Sequence, residues 1–444
     1  MRSEEIILMS KDETVELILW QFKEIEKLQL EISDLKSKLL SPKKNSINSS
    51  IPPSKDFKEN KESDTKAKIR SHSNGGRELS DNPTDTFDFT VLECIDCKSD
   101  NISSKLLSSY DKLFLPEVKI ETFRVNVYEC VCLSCHKKLE VEIPSHLSNK
   151  ELLSDSLKAM IMYLHYENHV SYSRIEKYFK DIYNLDISEG LIDSVIKSSA
   201  EVLLEKSNEI KEQIRSSNIV CSDETSARVK GKNWWQWVFQ NDDYSYHVIE
   251  PTRGAVVKNN LFADNHPEIY VSDGYSSQKV GIKKWQICLA HQIRDCNYLI
   301  DLDNNEFAIK MKELFQESIK FKNENLETKK IKKDHLLIRL KDIIKIKTSN
   351  NSESNLRKRF DNLKEHLFLF LDYDNVPPTN NSSEQALRPS VIFRKVTNGF
   401  RSITGKDIFA NFRTVIDTAK KQGKNIFLTI CQLFPKNKVS RIAI

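Results

Sequence analysis

Two aspartates each stand at the end of an apolar run, and this pattern constrains the fold of the chain most. Asp223 closes Ile219-Val220-Cys221-Ser222, and Asp273 closes Ile269-Tyr270-Val271-Ser272. Short apolar runs of this kind read as buried strands. A third acid, Glu384, opens the polar, helix-like segment Asn380-Asn381-Ser382-Ser383-Glu384-Gln385-Ala386-Leu387-Arg388. Two strand-end aspartates and one helical glutamate can converge on a pair of divalent cations. Carboxylate oxygens are the ligands magnesium prefers. Two such ions about 3.5–4 Å apart serve phosphodiester chemistry, activating the nucleophile and steadying the leaving oxygen. Any one of these acids alone would more ordinarily be a cap or a surface charge.

The segments between the aspartates support the combination. Strand signals fall at 219–223, 234–240, 244–250, 268–273 and 285–289, with a helix over 255–262. Three strands, a helix and a further strand is the order of a ribonuclease H-like sheet. In that fold the first two acids belong on the first and fourth strands, where Asp223 and Asp273 fall. Glu224 points to the opposite face of its strand from Asp223 and is expected to matter less. The run Trp234-Trp235-Gln236-Trp237 is read as packing a sheet face, with base stacking as the lesser alternative. Cys221 and Cys288 are read as small buried residues.

Around Glu384, Ser382-x-x-Gln385 has the form of a capping box. It predicts a helix from Ser383 with Glu384 in its first turn, where the ionised carboxylate is favoured. Arg388, one turn on, can pair with Glu384 or reach a phosphate. Pro389 is expected to kink the helix. Arg394 and Lys395 are further phosphate candidates. His291 and Arg294 lie one turn apart after Cys288, placed to orient DNA or a metal-bound water, or else to serve an ordinary helix. Between them and Glu384, residues 301–372 read as a charged helical insertion. Its densest basic clusters are Lys329-Lys330-Ile331-Lys332-Lys333 and Arg357-Lys358-Arg359. They are either a DNA grip or a solvated face.

The N-terminal half is modular. Over residues 1–40, Ile18, Phe22, Ile25, Leu28, Ile32, Leu35 and Leu39 recur at gaps of three and four, a coiled-coil-like helix suited to self-association. Residues 41–86 are Ser-, Asn-, Lys- and Pro-rich, a basic linker expected to be disordered. Residues 87–148 hold Cys94-x-x-Cys97 and Cys132-x-x-Cys135, which suit four thiolates around a structural zinc ion. Cys130, two residues before Cys132, is an alternative ligand or a packed thiol. Residues 149–215 look helical, with Ser188 as an N-cap, and are compatible with helix-turn-helix DNA binding or with a structural linker. The core is assigned to 216–300 and 373–432, and a basic tail to 433–444.

Four segments, Ser222-Asp223-Glu224-Thr225, Ser272-Asp273-Gly274-Tyr275, Cys288-Leu289-Ala290-His291-Gln292-Ile293-Arg294 and the Asn380–Pro389 block, occur in that order. Together they resemble the DDE transposases of the insertion sequence 66 family, over roughly residues 70 to 430. The resemblance implies a mixed α/β protein with a ribonuclease H-like core, strand cleavage and transfer at element ends, and a catalytic triad at Asp223, Asp273 and Glu384. It also implies a zinc-binding module where the cysteine pairs lie. The expected cofactors are two magnesium or manganese ions and structural zinc. The expected partners are double-stranded DNA at element ends and in the target, a second copy through the N-terminal helix, and accessory proteins of the same element. A catalytically silent DNA-binding derivative and a ribonuclease H-like nuclease are the alternatives.

Composition adds limits. A net charge of +4 over 444 residues neither requires nor excludes nucleic acid. No stretch approaches the roughly 20 apolar residues that span a bilayer, and the N-terminus lacks a signal-peptide layout. An odd cysteine count, nine, argues against a disulfide framework. A cytoplasmic setting is expected.

Overall fold

The computed structural model describes residues 11–39, 44–45, 47–49, 79–115, 118–143, 152–263, 265–346 and 351–434. Of the expected tail, Leu433 and Phe434 are instead buried in the helical core, and the rest lies, with most of the linker, outside the described residues. Helix α1 (Lys11–Leu39) carries Val15, Ile18, Phe22, Ile25, Leu28 and Ile32 exposed. Part of the linker departs from the expected disorder. Asn45 Oδ1 accepts the N–H groups of Ile47 and Asn48, and Asn48 Nδ2 donates to Asp301 at 2.9 Å. An asparagine that closes its own turn gives this polar stretch a local structure that composition does not reveal.

The cysteine region holds two paired two-residue strands, β1 (Cys130–Val131) and β2 (Lys138–Leu139). Helices follow: α2 (Asp155–Met162), a π turn over Tyr163–Glu167, α3 (Tyr172–Tyr183), α4 (Glu189–Ser198) and α5 (Ala200–Arg215). Ser188 caps α4, its Oγ accepting from Leu191 N at 3.2 Å. The helical stretch from Ser188 onward breaks at Ser199, whose hydroxyl donates back to Ile196 O. These helices share one core with the C-terminal α13 (Ile403–Lys421) and α14 (Ile426–Cys431), through Ile175, Ile192, Leu203, Phe409, Phe412 and Ile416.

The central sheet comprises β3 (Ile219–Val229), β4 (Lys232–Gln240), β5 (Ser245–Glu250), β6 (Ile269–Ser272) and β7 (Lys284–Ile287), in the order β5-β4-β3-β6-β7. β3, β4 and β5 are antiparallel, and β6 and β7 join in parallel. Helix α6 (Val256–Phe262) makes the crossover to β6, and the short α7 (Ser276–Lys279) follows it. β3 does not end at Asp223 as its apolar run suggests. It runs on through Thr225, Ser226 and Arg228 to a two-residue turn, Lys230-Gly231, with φ of 49° and 75°. Positive φ at both positions matches the right-handed twist of the strands. Asp223 therefore lies inside a strand, opposite Val238.

After β7 come α8 (Leu289–Asp303), α9 (Glu306–Lys320), α10 (Leu326–Ile344) and α11 (Asn351–Leu367), which bury Phe307, Met311, Phe315, Leu340 and Phe360 together against the sheet core. The basic clusters here are largely spent on ion pairs. Lys329 is buried with its Nζ 2.7 Å from Asp374, Lys332 meets Glu324, Lys333 meets Asp372, Arg357 meets Glu353, and Arg359 meets Asp295. Helix α12 (Asn381–Thr397) then lies across β3 and β4 and runs through Pro389. None of the helices among the described residues is long and apolar enough to cross a membrane.

Candidate active site

The sheet register brings two of the acids together. β3 and β6 pair in parallel with Cys221 opposite Val271. Two residues further along the chain stand Asp223, still on β3, and Asp273, the first residue past β6, so both acids follow the last paired position at the same offset. Asp273 opens the loop after β6, and its Oδ1 accepts the N–H of Tyr275 at 3.0 Å. Asp223 Oδ1 accepts the N–H of Glu224 at 2.9 Å.

The third acid arrives on α12, which is fixed to the sheet by polar contacts. Gln240 Nε2 donates to Ser382 and Ser383 Oγ at 3.0 and 2.9 Å, and Gln236 Nε2 donates to Ser390 Oγ at 2.8 Å. Asn380 Nδ2 donates to Ser222 O at 2.6 Å, one residue before Asp223. Its backbone N–H donates to Cys288 Sγ at 3.1 Å. These contacts overturn the expected capping box. The helix begins at Asn381, no side chain caps it, and the Ser382 hydroxyl is engaged by the sheet instead.

Burial and three neighbouring acids, Glu224, Asp273 and Glu384, push the Asp223 carboxyl well above the usual range. Like charges brought together out of water resist ionisation unless a cation joins them. Among the described residues no three His, Cys, Asp or Glu side chains already stand at metal-ligand spacing. The donor types nonetheless suit hard divalent ions: carboxylate oxygens carried by a strand, the loop after its neighbour and a helix.

Two basic residues from α8 meet the third acid. Arg294 Nη2 lies 3.2 Å from both Glu384 oxygens, and Nη1 lies 3.2 Å from Oε1. His291 Nε2 lies 3.6 Å from Glu384 Oε1, and burial followed by Arg294 lowers the pKa of its imidazole. Arg394 Nη2 donates to Thr225 Oγ1 at 3.2 Å, on the strand that carries Asp223, while its buried Nη1 has no partner among the described residues. Arg388 and Lys395 are exposed on α12, and Arg388 makes no pair with Glu384.

Sequence reasoning missed the group behind the aspartates. The Glu224 carboxylate is wholly buried, and Arg253 Nε donates to it at 2.7 Å. Gln278 Nε2 donates to its other oxygen. Arg253 sits in the loop after β5, where no periodicity marks it.

The cysteine pairs fold into two turns of the same form. Lys98 N donates to Cys94 O at 3.0 Å and His136 N to Cys132 O at 2.8 Å, with Lys98 and His136 both at positive φ, 60° and 57°. Backbone N–H groups of Cys97 and Cys135 bond to the Cys94 and Cys132 sulfurs and lower both thiol pKa values. N–H groups aimed at sulfur stabilise thiolate, the form that binds metal. Cys130, on β1, heads no such turn.

A family model described as the transposase IS66 family matches residues 150–407, more than half of the chain, including Asp223, Asp273 and Glu384 but not the cysteine pairs. A search of curated proteins found no match.

Proposed function

The chain belongs to the IS66 family of transposases, and on that premise we propose that it cuts and joins DNA at the ends of an insertion sequence through Asp223, Asp273 and Glu384. One observation carries the reading. Asp223 on β3 and Asp273 just past β6 each stand two residues beyond the last paired position, Glu384 is carried by a helix pegged to β4, and burial with three acidic neighbours pushes the Asp223 carboxyl up. The strand order β5-β4-β3-β6-β7 supports a ribonuclease H-like core around it.

The three carboxylates would hold two magnesium or manganese ions. When bound, these ions supply Lewis-acid stabilisation of the attacking and departing oxygens. Cleavage joins a water oxygen to phosphorus and breaks the bond to the 3′ oxygen, leaving a 3′-hydroxyl and a 5′-phosphate. In strand transfer that hydroxyl attacks a target phosphate and displaces its 3′ oxygen. Arg294 holds Glu384 in place through its two terminal nitrogens. Arg394, Arg388 and Lys395 line the same helix and offer donors to DNA phosphates. His291 orients the Glu384 side of the site. Cys94, Cys97, Cys132 and Cys135 would hold one structural zinc. The exposed apolar stripe of α1 would pair with a second copy.

Asp273→Asn tests this reading. The substitution keeps shape and removes charge, so cleavage of a labelled duplex bearing the element end should fall by about a thousandfold or more. Manganese binding, read by electron paramagnetic resonance, should weaken in parallel, with DNA affinity nearly unchanged. Asp223→Asn and Glu384→Gln should follow it. Wild-type cleavage by Asp273→Asn would overturn the assignment.

A further inference from the structure

We propose that Arg253 is a phosphate-gripping residue of this site, held by Glu224 and Tyr275 so that the outer edge of its guanidinium takes one backbone phosphate beside the carboxylate cluster. This rests on the reading of the cluster as the active site.

The loop that carries Arg253 is pinned at several points. Trp237 Nε1 donates to Thr252 O at 3.3 Å, Gly254 N donates to Thr252 Oγ1 at 2.9 Å, and Ser277 Oγ donates to Arg253 O at 3.0 Å. The side chain is pinned as well. Its Nε donates to Glu224, and its guanidinium lies 3.7 Å from the Tyr275 ring centroid and 4.8 Å from that of Trp235. Glu224 is fixed in turn by Gln278, whose Oε1 accepts from Tyr270 OH at 2.8 Å. Tyr275 is the residue whose N–H caps Asp273. The arginine is therefore tied directly to the loop of the second acid.

What remains open is the outer edge. Neither terminal nitrogen of Arg253 has a hydrogen-bond partner among the described residues, and the side chain is 34% exposed. A two-pronged donor edge matches two phosphate oxygens. Because the rotamers of this arginine are already fixed, binding forfeits little further side-chain entropy. A purely structural partner for Glu224 would need no ring stacking and no unpaired terminal fork. The same geometry replaces the expectation that Glu224 matters little, since it positions Arg253.

The test uses the full-length protein and an element-end duplex in which a neutral methylphosphonate replaces one phosphate at a time around the cleaved bond. Wild-type affinity should drop about ten- to hundredfold at one position. Arg253→Gln should bind ordinary DNA as weakly as that and show no further loss there. Arg253→Lys, a point charge without the fork, should fall between, and Glu224→Gln should lose part of the effect. Asp273→Asn should retain the wild-type binding scan while failing to cleave. Full methylphosphonate sensitivity in Arg253→Gln, or wild-type affinity, would make the pair structural and overturn the proposal. If Arg253→Gln melts early, Arg253→Lys decides by the same scan. Cleavage by Asp273→Asn would instead sink the active-site reading, a distinguishable outcome.

Discussion

Between residues 79 and 143 none of the described side chains is buried, and Phe89 and Leu107 stand 93% and 95% exposed. In the sheet and its helices, Trp237, Tyr270 and Phe409 are wholly enclosed. Both regions contain enough apolar residues to tempt a reader into expecting a core. Only the second supplies enough paired strands and helices to bury them in the chain's own layers; in the first, the alternation over residues 118–125 forms no strand. The first region has local order without a core: two matching cysteine turns and a minimal β-ladder. A segment that cannot bury its surface needs a cross-link, and a metal whose binding energy is folding energy is the ordinary one.

The strongest way to break this contrast is to remove the cross-link. Cys94→Ser together with Cys97→Ser should release one zinc per chain and abolish protection from hydrogen exchange across 79–143. The melting temperature of the remainder should stay within a few degrees. Metal analysis with exchange mass spectrometry reads both, and zinc-free wild type would end the idea.

A smaller effect separates the regions by pH. Burial lowers the His165 pKa from 6.5 to about 4, and the ring is held against Val170 O at 2.8 Å. The unfolded chain then takes up its proton first. Stability is full above about pH 6.5 and declines toward pH 4, by about 3 kcal/mol from this residue. Buried His247 is lowered too, adding a slope of the same sign. His165→Phe should flatten part of the acid decline in core melting temperature. An identical profile would show that the imidazole takes up its proton alike in the folded and the unfolded chain.

The smallest expected effect concerns the basic insertion. Among Lys329, Lys330, Lys332 and Lys333, only Lys330 has no ion-pair partner among the described residues. Lys330→Ala should change the logarithmic salt dependence of DNA binding by about one at most. Lys329→Ala should leave that slope alone and lower the melting temperature. A reversal of those two results would make the cluster a DNA surface.

The legible parts of this molecule were those carried by period and by chain order. Asp223 and Asp273 could be placed because apolar runs precede them, and Ser188 because a cap has a fixed offset from its helix. The continuation of β3 was hidden because Thr225, Ser226 and Arg228 are polar, and only the two-residue turn at Lys230-Gly231 announces it. The spacing of His291 and Arg294 showed that they share a helical face, but not that the face meets Glu384. Arg253 left no trace in the sequence, since a loop residue's partners come from distant strands. Ser382 misled for the opposite reason. A local partner was available on paper, and a sheet glutamine some 140 positions earlier won it.

That glutamine has a companion. Gln240 and Gln236 are four residues apart on β4, about 13 Å along a strand. The serines they hold, Ser382 and Ser390, are eight apart on α12, about 12 Å along a helix. Two pegs at matching pitch act as a key seated in two slots. An oily interface would let the helix creep or roll by fractions of a turn at little cost. Here any slip must break both directed bonds at once, so the helix is indexed like a ruler against a ruler, and Glu384 inherits a single permitted mark.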